Sequence, residues 1–473
     1  MAIDAFIPAL QTVLIARGFL ERAIHGALEP ELGFDKLCDV EPFEARVGES
    51  KTMTREAILP PVTQDAVPIA AGIDLNQGMT PQGVTYEQFM VTLAERRGMM
   101  NLSLKMDETK IASEYMRFIR NLAQQAGSSR DVRAAQSLLP AYEGGNTYAT
   151  AVATAATSVT VDNVSGFDTQ YIGWSPFATT GATASPGIPQ PVSPTNKLPV
   201  RIVPAANPTQ AVTVNVTGVV PDATNACSAF SGGVYYGKSG TLTFDVPVTL
   251  AVGDTIQSLD GASVIRPNGK LSRSQLTSTD SVGLQQLSRA RAKLENRKVP
   301  KLPNGMYAAL VDAQVFADLL NDPAFRQATQ GAFTTTPFFA SGQVVSTLGL
   351  EFVSSSQVPI YPIGGSNSGL VERHAIICGK GCIVRAPSSG AANAARKAQA
   401  NPGSGAVDVR YVDDVKYVTR GPIDVLADTV TMAWEFATGH VAPTDITSTP
   451  AQIASTDYAR YKRAVTVGFA SAA

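Results

Sequence analysis

Between Tyr86 and Tyr142 the period of the apolar residues changes once, from two to about 3.6, and this change constrains the fold more than any other stretch. Phe89, Val91 and Leu93 alternate with polar neighbours before Arg96-Arg97-Gly98. Leu102, Leu104 and Met106 alternate with Ser103, Lys105 and Asp107 after it, which predicts a β-hairpin with one buried face. From Ile111 onward, Tyr115, Phe118, Ile119, Leu122 and Ala126 fall on one helical face, with Glu114, Arg117, Arg120, Gln124 and Gln125 opposite. Asp107 or Thr109 can cap this helix. Gly127 offers a left-handed stop, and Val132, Ala135 and Leu138 predict a resumption that Pro140 ends. The unit reads as a hairpin feeding one long helix.

A chain of 473 residues is too long for one ordinary core and predicts two or three lobes. Charged residues make up 16% and the net charge is -2, so no global basic field draws the chain to nucleic acid. Four cysteines, Cys38, Cys227, Cys378 and Cys382, are too few for a disulfide framework and point to a reducing compartment. The apolar run Phe6 to Ala16 is interrupted by Pro8 and Gln11 and closed by Arg17, so it is expected to be a soluble, uncleaved start rather than a signal or membrane segment.

In chain order, Leu10, Val13, Leu14, Leu20, Ile24 and Leu28 mark a docking helix. Phe43 to Val47 and Met53 to Leu59, around Gly48-Glu49-Ser50, predict a charged hairpin arm ending at Pro60-Pro61. The arm carries Glu44, Arg46, Glu49, Lys51, Arg55 and Glu56 and too few large apolar residues for a core of its own, so another surface must receive it. From about Glu143 to Lys270 charge thins and Thr, Val, Gly and Pro dominate. Short strands at 157–164, 200–203, 212–220, 241–250 and 255–259 predict an inserted all-β domain. An α+β lobe follows from Leu271, with strands at 306–311, 350–353, 375–378 and 383–385. Two late strands, 409–418 and 429–437, are placed to return to the sheet opened by the Phe89 hairpin.

Gly232 to Ser239 matches the phosphate-loop pattern, but the β-prone residues after it leave no helix whose N-terminal amides would hold a phosphate. His374, Cys378 and Cys382 have ligand-like spacing for zinc, though Gly379-Lys380-Gly381 between apolar runs is more simply a turn flanked by buried thiols. Asp413-Asp414, neighbours on an expected strand, would face opposite ways and make a poor acid/base pair. Three histidines and no nucleophile elbow leave no catalytic set, so the chain is expected to be no enzyme and to need no cofactor or metal. The densest basic run, Arg289, Arg291, Lys293, Arg297, Lys298 and Lys301, suits either nonspecific contact with DNA phosphates or salt bridges to another subunit.

The order of these parts resembles the HK97-type major capsid protein family of tailed bacteriophages. The matching stretches are Val47 to Arg55 with Pro60-Pro61, Ala112 to Gln125, Ala141 to Thr147, and Gly305 to Val311 leading to Ala317-Asp318-Leu319 and Asp322-Pro323. The resemblance implies an α+β capsid fold with residues 1–38 as N-terminal arm, 39–75 as extended loop and 76–142 as peripheral domain with its spine helix. Residues 143–272 would be the inserted β-domain, 273–425 the axial domain, and 426–473 a return to the peripheral domain with a C-terminal tail. It further implies assembly in the host cytoplasm into pentamers and hexamers of an icosahedral virion capsid around double-stranded DNA. The partners implied are copies of itself, portal and scaffolding proteins and a decoration or cement protein, with no membrane. With no long charged helical segment ahead of the arm, the scaffold is expected to be separate. The inter-subunit contacts would fall on Glu44, Arg46, Glu49, Lys51, Arg55 and Glu56. Some relatives join this loop to a neighbour through a Lys to Asn isopeptide bond. Lys51 lies in a suitable loop, but no motif carries that bond over. A nucleotide-binding enzyme using the Gly232 to Ser239 loop, and a β-rich surface adhesin, stay open as alternatives.

Overall fold

The computed structural model describes residues 19–28, 32–43, 49–56, 86–103, 111–172, 188–228, 230–231, 234–259, 264–330, 346–363, 369–388, 407–421, 429–443 and 463–472. Helix α1 (Phe19–Leu28) is amphipathic and buries Ile24, Ala27 and Leu28. A short strand, β1 (Cys38–Val40), follows. Strands β2 (Ser50–Glu56) and β3 (Tyr86–Thr92) pair antiparallel from Ser50 opposite Thr92 to Glu56 opposite Tyr86, forming a two-stranded ribbon. The expected hairpin turn at Arg96-Arg97-Gly98 is absent, because β4 (Ala94–Ser103) runs straight through it. β3 and β4 are consecutive but pair with different partners. Val91 and Leu102 are buried, each on its own strand, and Leu104 to Asp107 lie outside the described residues. Likewise the pairing seen for the arm is β2 with β3; of the expected hairpin, residues 44–47 and 57–59 lie outside the described residues.

Helix α2 (Ile111–Glu143) spans 33 residues, about 50 Å at 1.5 Å per residue. Neither expected break occurs, and Gly127 and Pro140 lie inside one helix. Packing overrides propensity here: Ile119, Leu122, Ala123 and Ala126 bury one stripe, while from Val132 to Tyr142 most side chains are buried all round. The first half of α2 shares a core with α1 and Val415, Tyr417, Met432 and Trp434. The second half shares another with Ala308, Leu310, Tyr361 and Ile376.

The inserted region is a closed barrel. Strands β5 (Asn146–Tyr148) and β6 (Ala153–Val161) open it. A side hairpin of β7 (Thr169–Ile172) and β8 (Ile188–Pro191) precedes β9 (Leu198–Val203) and β10 (Val212–Ala226). The small strands β11 (Phe230–Ser231) and β12 (Val234–Tyr235) lead to β13 (Lys238–Leu250) and β14 (Thr255–Ser258). The antiparallel order β5-β14-β9-β10-β13-β6 is closed by a bridge between Ala149 and Val161. Bonds from Thr150 N to Thr160 O (3.0 Å) and Asp162 N to Tyr148 O (3.1 Å) flank that bridge. Inward-facing Val159, Val161, Val200, Val216, Leu242, Phe244 and Ile256 fill it. The tip of the β10–β13 hairpin leaves the barrel: β11 pairs with β18, described next, and Cys227 and Tyr236 join the core behind α2.

The remaining chain gives α3 (Leu284–Asn296), β15 (Tyr307–Val311), α4 (Ala313–Leu319) and α5 (Pro323–Gln330), with Asp312 capping α4 through Ala313 N at 2.7 Å. Then come β16 (Ser346–Thr347), β17 (Leu350–Ser354), β18 (Ile360–Pro362), β19 (Leu370–Cys378), β20 (Ile383–Pro387), β21 (Val407–Val412), β22 (Val415–Arg420), β23 (Thr429–Val441) and β24 (Ala464–Ala472). Sheet I has the order β1-β20-β23-β22-β21, with β4 also on β23. Sheet II has the order β12-β11-β18-β19-β15-β17-β16, with β24 on β19. The strand partition therefore differs from expectation on two counts. β20 to β22, placed in the 273–425 unit, belong to sheet I. β24, placed in the returning 426–473 unit, pairs along the whole of β19 from Leu370 opposite Ala472 to Cys378 opposite Ala464. Among the described residues, β23 is the strand that pairs with β4, with Trp434 opposite Gly98, where a Cβ would lie 2.4 Å from the indole nitrogen. Among the described residues no helix is long and apolar enough to cross a membrane.

Candidate assembly surfaces and buried charge clusters

The ribbon borrows its core. Met53 and Val91 are buried at its base against Phe43, Val384 and Ala386, with Phe89 packed beside them. Glu49 is exposed, and half-buried Lys51 donates from Nζ to Pro42 O at 3.3 Å. The backbones of Arg55 and Glu56 pair with Glu87 and Tyr86. Glu44 and Arg46 lie outside the described residues. The first limb also leans on its own chain: α1 packs on α2, and β1 pairs in parallel with β20 from Cys38 opposite Ile383. The described residues 19–28 and 32–40 thus lean on their own subunit, burying Ile24, Leu28, Phe34 and Leu37 within it.

The basic run divides by face. Leu287, Ala290 and Leu294 bury the inner side of α3, while Arg289 and Lys298 are exposed, and Lys293 and Arg297 are half-buried. Arg291 (3.0 Å) and Lys301 (3.2 Å) both pair with Glu295, whose carboxyl these hydrogen bonds hold below its usual value. Part of the run is thus neutralised within the subunit.

Other candidates resolve structurally. Lys238 and Ser239 begin strand β13 where a phosphate loop requires a helix, and the preceding Tyr236 is plugged into sheet II, its hydroxyl donating to Gln357 Oε1 at 2.9 Å. Gly232 and Gly233 lie outside the described residues. Asp413 and Asp414 are not on a strand: they form the turn between β21 and β22, with φ of 48° and 66°, as a two-residue hairpin turn requires. His374 points to carboxylates rather than thiols. Cys378 and Cys382 hydrogen-bond to each other, which together with burial pushes the Cys378 thiol far up.

Among the described residues, Asp35, Cys38 and His440 present ligand atoms within 4.8 Å of one another. The donor chemistry opposes a cation there. Asp35 is gripped by Arg130 (2.9 Å) and Arg385 (3.2 Å), and burial holds the Cys38 thiol protonated. Burial pushes Asp35 up, but its His440 hydrogen bond and the two guanidiniums win and hold it low. Next to it, Asp131 accepts from Gly33 N (2.9 Å), Asp35 N (3.0 Å) and Ser355 Oγ (3.1 Å), yet burial still raises its carboxyl to about 6.

A second buried cluster sits at the end of α2. His374 Nδ1 is 2.8 Å from Glu143 Oε1, and its Nε2 makes a 3.5 Å ionic contact with Glu372. Arg266 Nε donates to Glu372 at 2.7 Å, and Tyr361 donates to Glu143. Neither cluster was foreseen. Their ties reach across the chain, 96 positions from Asp35 to Asp131 and 405 from Asp35 to His440, so no local signal marks them.

No family model matches the chain, and no curated protein matches it. Among solved structures it is similar to the capsid of Ralstonia phage GP4, at 12% identity and a TM-score of 0.47, covering 92% of this chain and 87% of that one. It is also similar to the Cyanophage Pam1 capsid (11%, 0.43, covering 90% and 86%) and to the capsid of Cyanophage P-SCSP1u (9%, 0.41, covering 92% and 86%).

Proposed function

We propose that this chain is a major capsid protein of HK97 type, a structural subunit that builds pentamers and hexamers of a closed icosahedral shell around double-stranded DNA. The observation that carries this reading is the ribbon β2–β3: its described buried side chains, Met53 and Val91, rest on sheet I, and its two strands have no further strand partner among the described residues. Such a limb gains burial by lying on another copy, and contacts of that head-to-tail kind close into rings. The long helix α2, shared by sheets I and II, supports the assignment of spine, peripheral sheet and axial sheet. On this reading β20 to β22 belong with the peripheral part and β24 with the axial part. Portal and scaffolding proteins, a decoration protein, virion location and assembly in the host cytoplasm belong to the same proposal. Contact with packaged DNA would be nonspecific, through exposed Arg289 and Lys298, and weakened by salt.

Negative-stain microscopy of the purified full chain tests the reading: uniform closed shells are expected, and a monodisperse monomer under all assembly conditions refutes it. Deleting Val47 to Met53 is expected to leave a soluble subunit that makes few closed shells.

A further inference from the structure

The barrel is joined to the rest of the chain by two covalent crossings, and the second charge cluster holds both. The incoming crossing starts at Glu143, the last residue of α2, and passes Gly144 and Gly145 into β5. The returning one carries Arg266, which bonds Glu372 and also donates to Leu271 O at 2.8 Å. It also carries Arg273, whose guanidinium lies between the ring of Tyr148 in the barrel (4.8 Å) and that of Tyr361 in sheet II (4.5 Å). Glu372 is fully buried across Gly468 of β24, where a Cβ would sit 2.3 Å from its carboxylate oxygen.

The groups facing His374 come from every neighbouring element. Glu143 is from α2, Tyr361 from β18 and Glu372 from β19, while Arg266 and Arg273 come from the returning crossing. β24 contributes Gly468, which has no side chain, opposite it in register. Arg266 and Arg273 both serve Glu372, at 2.7 and 3.6 Å. Among the described residues, His374 is therefore the cation paired with Glu143. A neutral imidazole would leave Glu143 buried with a tyrosine hydroxyl and no counter-charge, an arrangement that strongly favours local opening.

We propose that this cluster is a proton-operated latch on the barrel: protonated His374 ties the two crossings to sheet II, and its deprotonation loosens them. Burial by itself would lower the imidazole, but Glu143 and Glu372 outweigh it and raise His374 from 6.5 to about 9. The sign follows: the latch is fully closed below 6.5 and opens as pH rises through about 9.

The test uses the full chain and its three histidines, His25, His374 and His440. Their ring carbon-bound proton signals are followed by NMR from about pH 5 to about pH 10. The His374 signal is assigned by its loss in His374→Gln, with His25→Gln and His440→Gln marking the other two. It is expected to titrate near 9, far above 6.5. Hydrogen-exchange protection of residues 143–148 and 264–273, corrected for intrinsic exchange, is expected to fall about tenfold or more in step with that titration, while Leu242 to Phe244 inside the barrel keep theirs. In His374→Gln the crossings are expected to exchange fast at every pH; if that variant does not fold, titration and exchange of the native chain decide. A His374 midpoint at or below 6.5, crossings whose protection ignores the titration, or equal loss of protection everywhere would each overturn the latch.

Discussion

The barrel and the ribbon are both antiparallel and both project from the two sheets, yet they solve the problem of a strand's open edge in opposite ways. In the barrel each strand has two neighbours and the inward residues from Val159 to Ile256 meet one another. In the ribbon two strands share one ladder, and Met53 and Val91 are buried only because Val384 and Ala386 lie beneath them. A region that makes its own interior can be stable wherever it is attached. One that borrows an interior depends on what it touches.

Proline is the sharpest tool for breaking this comparison. Thr241 pairs with Val220 on one side and Thr160 on the other, so Thr241→Pro is expected to cost about 3 kcal/mol or more and unfold the barrel by circular dichroism. Thr52→Pro, on the exposed side of the ribbon, should leave the melting temperature of the subunit within about 2 °C. Equal losses would erase the distinction. Next in size, Leu242→Ala, fully buried in the barrel, is expected to cost about 2 to 5 kcal/mol in denaturant titration, and Met53→Ala less, because its pocket at the ribbon base can collapse. Gly98→Ala probes the strand that continues the ribbon. Its new Cβ meets the Trp434 indole, and the shift is expected to cost about 1 to 3 kcal/mol, read in tryptophan fluorescence and thermal melts.

The smallest effect concerns a site on α2, outside both regions. Asp131 has its carboxyl raised from 3.8 to about 6, chiefly by burial, so the stability it adds is present below 3.8 and lost as pH rises through about 6. Asp131→Asn removes this slope while keeping an acceptor for Gly33 and Asp35. Melting curves of the variant should change less with pH across that window than those of the native chain, and an unchanged slope would place the titration elsewhere.

Much of this architecture was legible because period reports burial. The strands at 198–203, 212–226 and 238–250 and the helix through Ile119 and Leu122 each show their buried side in one-dimensional spacing. Pairing was less legible, since nothing local to Phe89 says that its partner is Met53, thirty-six residues back. Helix continuity through Gly127 and Pro140 depends on two cores meeting around α2, which no propensity records. The residues proposed for assembly stand out only as charges on a limb with few large apolar residues, and the charge clusters not at all, because a buried ion pair is recognised by its partner, and His374 and Glu143 are 231 positions apart.

The barrel's attachments gather at one end, where Glu143, the returning crossing and the plugged Tyr236 all meet sheet II. At the opposite rim, built by the turns near Thr150, Asn207 and Gly253, Gly253, at φ 92°, has no neighbouring atom among the described residues within 4 Å of where a side chain would begin. A foreign peptide spliced at Gly253 would find no unpaired wall strand to invade, so this rim is the natural place to graft an epitope for display without disturbing the joint below.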